Sequence, residues 1–171
     1  SFQEIIDQFE QKEIDVLVGT QMVSKGLDFD HVGLVGVLQA DDMLYYPDFR
    51  AHERCFQLLT QVSGRSGRKN ERGKVILQSF DPYHWVLQKV IEYDFKSLYD
   101  QELADRKHFK YPPYYRMIRM TLLHKKSENL FTGSNLLARD LKQHLGDRIL
   151  GPEFTIIPRI KNNYQQQIIL K

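Results

Sequence analysis

Three short, continuous apolar runs, each closed by glycine or polar residues, most constrain how this chain folds. They are Asp15-Val-Leu-Val-Gly-Thr20, Val32-Gly-Leu-Val-Gly-Val-Leu38 and Lys74-Val-Ile-Leu-Gln78. Runs of this length without polar alternation predict strands buried on both faces, as in a parallel sheet. Between the second and third, residues 49–63 carry Ala51, Cys55, Leu58, Leu59 and Val62 as one apolar stripe at helical spacing. Asp81-Pro82 supplies an N-cap and a first-turn proline for a further helix bearing Val86, Leu87 and Val90. A helix with Ile5, Ile6 and Phe9 on one face precedes all of these. Strand and helix alternate, so residues 1–94 read as about half of a doubly wound α/β domain.

Near Asp94 the composition turns polar. Residues 95–109 predict a helix, and the two adjacent prolines of Tyr111-Pro-Pro-Tyr-Tyr115 end it, because neither can continue one. A domain boundary is placed here, giving residues 1–94, a helical linker over 95–113 and a second domain over 114–171. In that domain Ile118, Met120 and Leu122 alternate with Arg119, Thr121 and Leu123 as in a half-buried strand. Ser127 is set to cap a helix bearing Leu130, Leu137, Leu141 and Leu145 before Gly146. Residues 150–157 and 167–170 predict two more strands around a polar turn, so the order β-α-β-β reads as a small α+β, ferredoxin-like module.

The bulk properties exclude several classes. A single cysteine, Cys55, allows no intramolecular disulfide and no cysteine-rich zinc site, which fits a reducing, cytoplasmic setting. Cys55 also lies on the apolar stripe, where an inert buried thiol is expected. No run approaches the ~20 apolar residues needed to span a bilayer. The six histidines are scattered without metal-ligand spacing, so no metal is assigned. A formal net charge of +2 implies no polyanion partner by itself, and any nucleic-acid reading rests on where the charges sit.

The strongest chemical signal is Gln61-Val-Ser-Gly-Arg-Ser-Gly-Arg68. On a helical turn, Arg65 and Arg68 project to the same side, so two guanidinium groups converge. Gly64 and Gly67 remove side-chain bulk, which lets a neighbouring domain carrying a triphosphate approach, and planar guanidinium forks match phosphate oxygens. The same residues would also serve as a solvated basic loop, since Arg68-Lys-Asn-Glu-Arg-Gly73 is polar throughout.

This stretch closely resembles motif VI of superfamily 2 helicases, and Val18-Gly-Thr-Gln-Met-Val-Ser-Lys-Gly-Leu-Asp-Phe29 resembles their motif V. The wording is more similar to the primosomal replication-restart DNA helicases than to the RNA helicases. Asp48-Phe-Arg-Ala-His-Glu-Arg54, Pro112-Pro113 and Leu150-Gly-Pro152 extend the resemblance over nearly the whole chain. It implies part of a RecA-like parallel-sheet lobe followed by a small, truncated C-terminal domain. It further implies that Arg65 and Arg68 are catalytic, and that Gln61, Gly64, Lys25, Gly26 and Asp28 bind nucleotide. Thr20 and Gln21 would lie near the DNA backbone. The family pattern Lys-Gly-His-Asp-Phe-Pro is broken by Leu27 and Asp30, so no imidazole role carries over.

The chain contains no Gly-x-x-x-x-Gly-Lys-Ser/Thr loop and no Asp-Glu-x-His box. ATP and magnesium are therefore expected to be held mainly by a preceding lobe, and these residues alone are not expected to hydrolyse ATP. Zinc belongs to a cysteine-rich module of the full-length family, not to this chain.

A second nucleic-acid signal is residues 106–127, with seven Lys or Arg, no acid, and Phe109, Tyr111, Tyr114 and Tyr115 interleaved. Cations with stacking surfaces suit single strands, although tyrosines packed between domains would give the same pattern. Arg159, Lys161 and Tyr164 follow the last acid, Glu153, and are assigned to DNA, while Gln167 is nominated for a protein partner. The resemblance implies forked or single-stranded DNA, the single-stranded DNA-binding protein and helicase-loading primosome proteins as partners. Two alternatives stay open at this stage, a non-catalytic nucleic-acid binder and a helicase acting on RNA.

Overall fold

The computed structural model describes residues 1–20, 32–64 and 74–171. The chain divides into two compact units, Ser1–Tyr99 and Asp100–Lys171. In the first, helix α1 (Phe2–Glu10) starts at Ser1, whose hydroxyl accepts the Glu4 N–H, and it buries Ile6. Strands β1 (Leu34–Val37) and β2 (Lys74–Leu77) pair in parallel from Leu34↔Lys74 to Val37↔Leu77, which is the parallel pairing that the apolar runs predict. A short helix α2 (Asp41–Leu44) and a longer α3 (Ala51–Ser63) follow β1, and α4 (Trp85–Glu92) follows β2.

The stripe on α3 buries Ala51, Cys55, Phe56, Leu59 and Val62, with Leu58 only half-buried. Cys55, Phe56 and Leu59 meet Val86, Leu87 and Val90 of α4 in one core, joined by Leu98 from helix α5 (Phe95–His108). Burying each large apolar side chain fully contributes roughly 1.5–3 kcal/mol, so this cluster anchors the unit.

Three expectations for this unit need correction. Residues 16–20 form no strand, and Val16 and Val18 are 72% and 84% exposed. A buried strand needs ladder partners and covering helices, and the described residues supply neither to this run. Among the described residues, the β1–β2 sheet is covered on one face only. Val37 and Leu77 pack on the core, whereas Leu34 and Ile76, on the opposite face, are 57% and 48% exposed. Finally, α4 is capped by His84, whose Nδ1 accepts the Val86 N–H at 3.3 Å. Asp81-Pro82 instead forms a turn closed by the His84 N–H on the Asp81 carbonyl at 3.1 Å, so the helix starts three residues later.

The second unit is built from β3 (Ile118–His124), α6 (Ser127–Leu145), β4 (Ile149–Ile160) and β5 (Asn163–Leu170). The sheet order is β3-β5-β4 and both pairings are antiparallel. β3 and β4 therefore run parallel to each other with β5 inserted between them, the split β-α-β arrangement of the ferredoxin-like module. Ala138, Leu137, Leu141 and Leu145 of α6 pack on Ile149, Ile168, Met120 and Leu122. Ser134, also on α6, is buried and satisfied by the side-chain oxygen of Gln166.

Here Lys126 rather than Ser127 occupies the N-cap position, with no side-chain cap bond. β4 and β5 are longer than predicted. Lys161 and Asn162, at φ 46° and 67°, turn the chain in two residues, the left-handed pair that suits a tight hairpin, and the polar residues 163–167 continue the ladder. Backbone pairing is indifferent to side-chain polarity, which is why hydropathy missed this half of β5. Gly151 sits at the irregularity between Leu150 and Glu153, with φ 93°. A Cβ there would lie 2.8 Å from the Gln167 carbonyl oxygen, so glycine at position 151 is a packing requirement of the sheet.

Candidate functional site

Helix α3 delivers the chain into the glycine-arginine run, and both of its ends are held by local chemistry. At the start, the Asp48 carboxylate accepts the Arg50 N–H at 2.9 Å and Arg54 Nη1 at 3.4 Å, and Arg50 forks onto Glu53 at 3.2 and 3.1 Å. The charged residues of Asp48-Phe-Arg-Ala-His-Glu-Arg54 thus order a helix start. At the far end, the Gly64 N–H closes on the Thr60 carbonyl at 3.0 Å and the Ser63 hydroxyl donates to Leu59 O at 2.8 Å.

Gln61 is exposed on the last turn of α3. Gly64 has φ −71°, and a Cβ there would meet nothing nearer than the Thr60 carbonyl oxygen at 3.5 Å. Neither backbone angle nor crowding among the described residues requires glycine at this point. Arg65 and Arg68 lie outside the described residues, as do Gln21, Lys25, Gly26 and Asp28. Thr20 is described and exposed, at the end of the run 16–20.

Two features around this unit were missed by the sequence reading. Asp41, at the start of α2, accepts the Ser79 hydroxyl at 2.9 Å and the Phe80 N–H at 3.0 Å. It ties together the segments that follow β1 and β2. Desolvation opposes its charge, but the bonds from Phe80 and Ser79 prevail and hold its carboxyl below the usual range. The second feature is a ring cluster. His52 lies 5.5 Å from His84 and 5.3 Å from Trp85, and Tyr45 lies 5.8 Å from His84, measured between ring centroids. Burial, and then the neighbouring His52, push the His84 pKa down, so its Nδ1 stays free to cap α4. Both features join residues far apart in sequence, and no local pattern announces either.

Cys55 is buried, and desolvation pushes its thiol up to about 12, the inert state expected from its place on the stripe. Among the described residues, no group of three or more His, Cys, Asp or Glu is placed to hold a metal. No described helix is long and apolar enough to cross a membrane.

In the second unit the β4–β5 hairpin brings together three of the residues assigned to DNA. Arg159 and Tyr164 are paired across the strands, with the guanidinium carbon 4.9 Å from the ring centroid. The Asn162 side-chain oxygen accepts from the same guanidinium, so the cation is held at the hairpin tip beside the exposed Lys161. A guanidinium fixed in this way loses little freedom on meeting a phosphate. Gln167 is set apart from them. It faces Glu153 across the ladder and donates to its carboxylate at 2.9 Å.

Comparison with known proteins covers both units. Residues 2–70 match the Helicase conserved C-terminal domain, a RecA-like lobe, and residues 107–171 match the Primosomal protein N C-terminal domain. Replication restart protein PriA of Bacillus subtilis (strain 168) is 42% identical over 171 residues, 99% of this chain and 21% of that protein. The protein of the same name in Synechocystis sp. is 41% identical over 169 residues, 98% of this chain and 20% of that protein. The Thermotoga maritima protein is 35% identical over 167 residues, covering 97% and 22% respectively. The chain thus spans about a fifth of the length of these relatives.

Proposed function

We propose, from the premise that this chain belongs to the PriA family of replication restart proteins, that its parent is an ATP-dependent DNA helicase acting in replication restart and primosome assembly. The observation that carries this reading is the colinear match. A helicase-lobe segment and a primosomal C-terminal segment occur in that order in one chain that aligns along 99% of its length.

In this reading ATP binds between two RecA-like lobes, with magnesium and the phosphate loop on the lobe that these residues do not include. Bound magnesium would neutralise charge on the phosphates. This chain would contribute Arg65 and Arg68, which follow α3 in sequence, against the transferring phosphoryl group, with the exposed Gln61 and the side-chain-free Gly64 just before them. Lys25, Gly26 and Asp28 would complete the nucleotide side. Thr20 and Gln21 would meet the DNA backbone, so that lobe closure on ATP moves the strand. Arg159, Lys161 and Tyr164 supply a further DNA contact at the hairpin tip. Gln167 stays a candidate for contact with the single-stranded DNA-binding protein or with helicase-loading proteins.

An arginine at a transferring phosphoryl contributes about 10³- to 10⁵-fold in rate. In the full-length protein, Arg68→Ala should therefore lower DNA-stimulated ATP turnover by on the order of 10³-fold while leaving binding of forked DNA without nucleotide nearly unchanged. Full turnover in that variant would overturn the role given to Arg68. Stimulation by RNA equal to that by forked DNA would overturn the substrate.

A further inference from the structure

The segment that joins α5 to β3 carries chemistry that none of the roles above uses. Phe109, Tyr114 and Tyr115 are 56%, 47% and 44% exposed, so they are not packed away as interior rings. They sit on an ordered turn. The Tyr111 N–H bonds the Arg106 carbonyl at 2.8 Å, and the Tyr115 N–H bonds the Tyr111 carbonyl at 3.3 Å. Lys171, at the end of β5, pins this turn from one side. Its ammonium donates to the Phe109 carbonyl at 2.9 Å and lies 3.7 Å from the Tyr111 ring centroid. Tyr111 is thereby committed to holding the turn, while the other three rings stay open to solvent.

Lys107, Lys110, Arg116 and Arg119, in the turn and at the start of β3, are exposed, as are Lys125 and Lys126 just past the far end of β3, and none has an acidic partner within 4.0 Å among the described residues. Some cations elsewhere are paired with acids. Arg50, Arg54 and Lys89 in the first unit each meet a carboxylate, as does Arg106 at the beginning of this segment. Cations left without acids repel one another at fixed positions, a cost that is relieved when polyanion phosphates enter. Exposed ring faces interleaved with such cations match a nucleic-acid strand whose bases are unpaired, because each base offers a face to stack and each link a phosphate to neutralise. A duplex hides its base faces and would leave the rings unused.

We propose that the α5–β3 turn, with Phe109, Tyr114 and Tyr115 as stacking surfaces and Lys107, Lys110 and Arg116 as phosphate contacts, is a binding site for single-stranded DNA. It is separate in sequence from the hairpin tip at Arg159 and Tyr164. Its DNA specificity rests on the reading of the parent as a DNA helicase, whereas its preference for a single strand rests on the exposed rings.

The test uses the full-length protein without nucleotide, so that the ATPase role of Arg68 does not enter. A labelled oligothymidylate carrying 5-iodouracil is bound and irradiated, and adducts are mapped by mass spectrometry. Adducts are expected on Phe109 and on the tryptic peptide 111–116, which holds Tyr114 and Tyr115. In the same protein, replacing Phe109, Tyr114 and Tyr115 together by Ala should weaken oligothymidylate binding by at least about tenfold, given the usual strength of base–aromatic stacking. Tyr114→Phe with Tyr115→Phe should bind as the unsubstituted protein does.

Should the triple variant misfold, the surface variant Lys107→Ala, Lys110→Ala, Arg116→Ala still decides the matter. Its slope of log affinity against log salt should fall by about 2, since each single-strand phosphate contact contributes roughly 0.7. No adduct in residues 107–116 together with an unchanged salt slope would overturn the proposal, and would leave these rings as the seat of a protein contact. Equal adduct yields with oligouridylate would overturn its restriction to DNA. Full ATP turnover in Arg68→Ala with the adducts intact would instead fault the enzymatic reading alone.

Discussion

At the scale of single residues, Gly64 separates a structural from a functional demand. Helix ends often take glycine because the chain turns left-handed there, but Gly64 has φ −71°, and among the described residues a Cβ there would make only ordinary contacts, the nearest being the Thr60 carbonyl oxygen at 3.5 Å. Alanine fits the same backbone and restricts the unfolded chain more, so Gly64→Ala should leave stability unchanged or raise it by up to about 1 kcal/mol. If the glycine serves an approaching triphosphate, the same substitution should cut ATP turnover of the full-length protein severalfold. Thermal unfolding and turnover measured on one preparation check both halves, and undiminished turnover would remove Gly64 from the nucleotide site. Gly151 shows the opposite case. Its left-handed φ, and a carbonyl oxygen 2.8 Å from where any Cβ would stand, make glycine a necessity of the sheet.

At the scale of elements, the joint between α4 and α5 is a small electrostatic device. Asp94 precedes α5, accepts the Ser97 N–H at 3.0 Å, and meets the Lys89 ammonium at 3.1 Å, which also bonds Glu92 at 2.8 Å. Bonds from the Ser97 side chain and backbone, followed by Lys89, hold the Asp94 carboxyl at about 2, below its ordinary 3.8. The folded state thus binds its proton less readily than the unfolded chain does. The stabilisation is fully present above about pH 4 and is lost as pH falls toward about 2. Asp94→Ala should lower the unfolding temperature at neutral pH, with the difference from the parent shrinking through that acid window. A difference that stays constant with pH would show that the cap contributes without its charge. Leu98 lies one turn further on and is buried with the first unit's core, so this cap also sets how the start of α5 meets α3 and α4.

At the scale of the whole molecule, the run 16–20 carries Val16 and Val18 two residues apart and almost fully exposed, the alternation that puts both on one side of an extended backbone. With no ladder partner among the described residues, that run offers free backbone groups beside apolar side chains. Residues 1–171 in isolation should therefore show concentration-dependent association in sedimentation, and Val16→Lys with Val18→Lys should abolish it. A monomer at every concentration in the unsubstituted chain would refute this. The parallel pairing of β1 with β2, the stripe of α3, the polar helix α5 and the β-α-β-β order were all legible in the sequence, because each is written in local hydrophobic period or in glycine and proline. The glycine-arginine run stands in the sequence as a dense local motif, while Arg65 and Arg68 lie outside the described residues. Other features were decided only by tertiary contacts. The cover that the described residues give to one sheet face instead of two, the His84 cap, the Asp41 tie between two segments and the anchoring of the α5–β3 turn by Lys171 each depend on contacts that no local pattern specifies. Local patterns record what a segment prefers, whereas which face is covered and which partner arrives depend on segments brought together only when the chain folds.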